Sequence, residues 1–136
     1  MAKNEPKTRL TGKSVNAFLK SIEDPKRRED SFRVLEMFNR LTGERPKMWG
    51  PAIVGYGSYP VTYANGSTLD WMMTGFSPRK QNMTLYVICD SPKQPGLLAK
   101  LGTHTSSVSC LYIKRLSDVD PKVLEKVIKD VGMKLD

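Results

Sequence analysis

The sequence predicts an α+β fold, with an antiparallel sheet of about five strands packed against two N-terminal helices and one C-terminal helix. Apolar residues recur at helical spacing between Val15 and Leu41, and again after Pro121. From Pro46 the texture changes to glycine, aromatic and β-branched residues in short runs broken by turn signals. Between Ile53 and Cys89 no helical pattern separates those runs, so consecutive strands pair as a meander and not through parallel crossovers.

Each element has its own signature. Ser14 is an N-cap, and Val15, Phe18, Leu19 and Ile22 form one apolar stripe of a short helix. Asp24-Pro25 is a cap followed by proline at the first helical position. The helix it opens turns Phe32, Leu35, Phe38 and Leu41 inward and stops at Gly43, while its charged residues (Lys26, Arg27, Arg28, Glu29, Asp30, Arg33, Glu36, Arg40) form a solvated face. Strands are expected over 53–54, 61–63, 70–74, 84–89 and 108–114, with Asn65-Gly66 as a hairpin turn. A brief helix from Pro95 to Leu101 ends at Gly102. Asp120-Pro121 starts the last helix, with Leu124, Val127, Ile128, Val131 and Leu135 on its buried face. Residues 1–13 lack any periodicity and are expected to form a mobile basic tail, leaving 14–136 as a single domain.

Composition narrows the function classes. No apolar run approaches the roughly 20 residues of a membrane helix, and the polar N-terminus lacks the apolar core of a signal peptide. A cytoplasmic location without a membrane partner is the expectation. Cys89 and Cys110 are too few and too isolated for a disulfide framework or a thiolate zinc site, and each sits in an apolar run as a small hydrophobe. The net charge is +8. From Arg45 to Arg115 there are eight Lys or Arg against Asp70 and Asp90, a balance that favours phosphate, carboxylate or nucleic acid over hard cations.

Several motifs carry a family resemblance. Lys47-Met48-Trp49-Gly50, Gly55-Tyr56-Gly57, Asp70-Trp71, the run from Gly75 to Asn82 with its Phe-Ser-Pro-Arg-Lys core, Leu85-Tyr86, Leu98 to Gly102 and Cys110 to Lys114 resemble the YdhG-like domain family. The likeness spans roughly Ser14 to Val131. It implies a compact α+β domain, and its wider group includes frataxin-like iron chaperones. The loop Thr105 to Ser109 and the hairpin Ala64 to Leu69 depart from the family's usual residues.

Strand alternation puts Cys110, Tyr112 and Lys114 on one face, near a loop carrying Arg79, Lys80 and Asn82. This predicts a non-enzymatic binding module with an anion-preferring groove lined by Trp49, Tyr56, Phe76, Arg79, Lys80, Tyr112 and Lys114, where a guanidinium suits carboxylate or phosphate. A purely structural alternative pairs Arg79 with Asp70. No catalytic residue, cofactor or metal site is expected, and the oligomeric state is open. Two other functions stay open: frataxin-like iron binding through Glu23, Asp24, Glu29, Asp30, Asp118 and Asp120, and nucleic-acid or polyanion binding. His104, the sole histidine, has no nucleophile elbow beside it, which argues against catalysis through Cys89 or Cys110.

Overall fold

The computed structural model describes residues 14–89 and 91–132. The predicted tail and Leu135 lie outside them. Helix α1 spans Val15–Lys20, with the Ser14 hydroxyl accepting from the Ala17 N–H at 3.2 Å. Helix α2 spans Pro25–Thr42. Asp24 caps it by accepting from the Lys26 N–H at 3.0 Å, and Gly43 ends it at φ 70°, where a side chain would be strained. Its buried residues include Val34, Leu35, Met37 and Phe38, while Phe32 and Leu41 are only partly covered. The buried stripe is displaced from the predicted one because α2 packs against both the sheet and the last helix.

Six strands form one antiparallel sheet: β1 (Lys47–Trp49), β2 (Ile53–Tyr56), β5 (Thr74–Pro78), β6 (Met83–Leu85), β7 (Thr105–Ser106) and β8 (Leu111–Ile113), in the order β1-β2-β5-β6-β8-β7. The remaining strands, β3 (Tyr59–Thr62) and β4 (Thr68–Trp71), pair only with each other as a separate hairpin. Helix α3 (Gln94–Leu101) follows β6, and α4 (Pro121–Gly132) closes the domain. The class is α+β.

Several details differ from expectation: β1 and β7 match no predicted strand, and the strands expected over 84–89 and 108–114 are the shorter β6 and β8. The predicted strand 70–74 is two elements, because the chain leaves the hairpin at Trp71 and joins the main sheet at Thr74. Gly75 to Pro78, which no predicted strand covers, is a central strand; only Arg79 to Asn82 turns, closed by the Arg79 N–H donating to the Asn82 carbonyl at 2.8 Å. The Asn65-Gly66 hairpin exists, but Gly66 alone takes positive φ and the Asn65 side chain accepts from the Ser67 N–H. That geometry is a longer loop held by an Asx turn.

Alternation divides the sheet into two faces. Met48, Val54, Tyr56, Phe76, Leu85, Leu111 and Ile113 join the helical side chains in the main core. Phe38 of α2 stacks between Tyr56 and Phe76, with ring centroids at 5.3 and 5.5 Å. The opposite face holds a smaller cluster of Trp49, Ile53 and Met72, edged by Trp71 and Tyr86. Gly55 and Gly75 are paired across β2 and β5, and both must be bare. A Cβ on Gly55 would lie 2.4 Å from Cδ1 of Trp49, and one on Gly75 would lie 2.3 Å from the Val54 carbonyl. The bare Gly55 leaves room for the edge of the indole that carries Cδ1 and Nε1.

Candidate anion-binding site

The seven residues predicted to share a groove are divided among three places. Tyr56 and Phe76 have no exposed surface and face the helices, so they line no groove. The Tyr56 hydroxyl donates to Oδ1 of Asn39 at 2.7 Å, and burial pushes its phenol well above the usual tyrosine range. Trp49 lies on the opposite face, in a cleft beneath the β3–β4 hairpin. Tyr112 shares that outer face, its hydroxyl 3.2 Å from the Ser107 hydroxyl. Arg79, at the β5–β6 turn, has Nη2 3.4 Å from the Tyr86 hydroxyl. It forms no ion pair with Asp70 among the described residues.

Lys80 and Lys114 do come together. They lie at one end of the sheet, on the β5–β6 turn and just past β8, where Met83 pairs with Ile113. The N-terminus of α2 reaches the same end. Together they enclose a concavity of about 480 Å³ lined by Asp24, Lys26, Arg27, Asp30, Lys80, Gln81, Lys114 and Arg115. Five cations therefore face two carboxylates.

Both carboxylates are already engaged. Asp24 caps α2. Asp30 is 5% exposed and accepts from the Leu116 N–H at 3.0 Å, which fastens the segment after β8 to α2. Arg27 reinforces this junction by donating from Nη1 to the Lys114 carbonyl, while its buried Nε has no acceptor among the described residues. Lys26 lies 4.0 Å from Glu29, an exposed pair of small energetic weight. Lys80, Lys114 and Arg115 form no ion pair among the described residues. The helix N-terminus adds about half a positive charge to the same end.

Lys26, Arg27 and Arg115 are the residues that sequence reasoning missed, having put the first two on a solvated helix face. One signal was available. The first turn of α2 carries three cations, Lys26, Arg27 and Arg28, and no acid, the sign that the helix dipole disfavours.

The acidic residues considered for iron do not converge: among the described residues no three His, Cys, Asp or Glu side chains gather in metal-binding reach. Asp118 and Asp120 instead accept from the backbone N–H groups of Arg115 and Lys122. His104 Nδ1 lies 2.7 Å from the Gly102 carbonyl, whereas the Cys89 and Cys110 thiols contact Gln94 and Ser109. Among the described residues no helix is long and apolar enough to cross a membrane. Comparison with family models, curated proteins and solved structures finds no match to this chain.

Proposed function

We propose that this chain is a non-enzymatic binding module for a small anion of the phosphate or carboxylate class, held where the start of α2 meets Lys80, Lys114 and Arg115. One observation carries the reading: among the described residues, five cations converge on a single concavity whose two carboxylates are committed to backbone N–H groups. An anion there replaces solvent as the counter-charge and accepts hydrogen bonds from lysine and guanidinium donors. The kinship proposed alongside it, with YdhG-like domains, rests on the motifs from Lys47 to Lys114. A cytoplasmic location is part of the same proposal.

Titration calorimetry with inorganic phosphate at low ionic strength tests the site. Lys80→Ala and Lys114→Ala should each weaken binding by roughly fivefold, about 1 kcal/mol for a solvated charge. Lys126→Ala, on α4 and outside the concavity, should leave it unchanged. Equal losses in all three variants would mean that only overall charge matters. A nucleic-acid partner would use the same cations, but its affinity would fall with salt in proportion to the number of phosphates neutralised.

A further inference from the structure

Side chains from all four helices join the core on one face of the main sheet. On the other face Tyr86 and Tyr112 are half-buried and Arg79 is exposed. Register fixes how these side chains lie. The Tyr86 N–H donates to the Gly75 carbonyl, so Tyr86 stands beside Gly75, and four residues of strand, roughly 13 Å, separate that position from Arg79. Yet the Tyr86 hydroxyl is 3.4 Å from Arg79 Nη2. Side chains on a sheet ordinarily stand upright, and contact over that span requires both to lie along the surface toward each other. Beneath them Ser77 and Thr84, partners across β5 and β6, are 0% and 2% exposed. Tyr112 pairs with Thr84 from β8 and flanks the same spot. A strip of ring and guanidinium surface therefore covers small residues whose hydroxyls are already paired, Ser77 with the Ala52 carbonyl and Thr84 with Oδ1 of Asn82.

Charge decides what such a strip accepts. None of the six strands of the sheet carries Asp or Glu. Arg79 leads directly into Lys80, and Tyr112 is followed by Lys114, so the aromatic strip runs into the basic concavity. Arg79, Lys80 and Lys114 form no ion pair among the described residues. A fitting occupant carries flat rings and spaced negative charges together. We infer that this face binds single-stranded nucleic acid, with bases on Tyr86 and Tyr112 and phosphates on Arg79 and in the concavity. The inference rests on the anion site for one anchoring phosphate and adds the ring surfaces. A duplex keeps its base faces inside its own stack and offers the tyrosines nothing. Because the hydroxyls under the strip are engaged, stacking and charge dominate and base identity matters little.

Fluorescence anisotropy at low salt tests this with a labelled thymidine oligomer of about 12 nucleotides and an abasic oligomer of equal length, which keeps the phosphates and lacks the bases. The thymidine strand should bind at least about tenfold tighter. Tyr86→Ala and Tyr112→Ala, confirmed as folded by their spectra, should each weaken it by at least about fivefold, and Tyr112→Phe should not. Inorganic phosphate, titrated in parallel, should bind all three variants as it binds the parent. Equal affinity for the abasic strand, no binding of the thymidine strand, or full affinity in both alanine variants overturns the inference; phosphate binding that persists alongside leaves the anion site standing. A parent protein that takes up neither the strand nor phosphate overturns both readings.

Discussion

Replacing Asp30 should move stability and anion affinity in opposite directions. Its carboxylate is buried and accepts a charge-assisted hydrogen bond from the Leu116 N–H, tying the Lys114–Arg115 segment to α2. Asp30→Ala removes that acceptor and leaves the amide unpaired, a loss of about 2–3 kcal/mol. Asp30→Asn keeps an oxygen for the amide but not the charge, so about 1 kcal/mol is expected. Either variant removes one of the two carboxylates that line the concavity among the described residues. For an anion roughly 8 Å away at an effective dielectric near 40, the lost repulsion is about 1 kcal/mol, or fivefold in affinity. Urea denaturation gives the first quantity, and phosphate titration of Asp30→Asn at low and moderate salt gives the second. The gain should shrink as salt screens the field. A folded Asp30→Asn protein that binds phosphate no better than the parent at low salt would refute the electrostatic reasoning. A stability loss below about 0.5 kcal/mol in Asp30→Ala would refute the tether, since that is the range of featureless surface changes.

Other predictions concern the frame that positions the site. Gly75→Ala should cost about 1–3 kcal/mol in chemical denaturation, because its Cβ would meet the Val54 backbone carbonyl, which cannot rotate away. Gly55→Ala should instead expel the Trp49 indole, read as a red shift of tryptophan emission. Gln94 is buried, donating to the Val87 carbonyl at 2.7 Å and accepting from the Cys89 N–H at 2.9 Å. Gln94→Leu orphans both groups and should lower stability by about 2–4 kcal/mol. The raised Tyr56 phenol keeps its proton in the native state after the unfolded chain has lost its own. Its contribution is therefore complete below the unfolded value near 10 and declines as pH rises above it, by up to about 1.4 kcal/mol per pH unit. Tyr56→Phe should flatten that alkaline limb.

How much was legible in the sequence depended on how local the signal was. Caps and stops act within a few residues, so Ser14, Asp24-Pro25, Gly43 and Asp120-Pro121 marked real helix ends. The α+β class followed from the same local texture. Pairing is non-local. Nothing in the run from Leu69 to Thr74 announces that the chain changes sheets there, and the separate hairpin went unforeseen. The site suffered for a related reason. Alternation correctly separated Tyr112 from Leu111 and Ile113, but it could not say which face of β2 and β5 meets the helices, and that choice buries Tyr56 and Phe76. Lys80 and Lys114 were named from sequence, while Arg27 and Asp30 joined them only through bonds spanning more than eighty residues.

The most direct test is a nitrogen–proton NMR titration of the full chain with inorganic phosphate at low ionic strength. Saturable shifts should cluster at Lys26-Arg27, Lys80-Gln81 and Lys114-Arg115, the three segments that meet at the start of α2. Shifts dispersed over lysines across the surface, or none while the protein stays folded, would contradict an anion site at that junction.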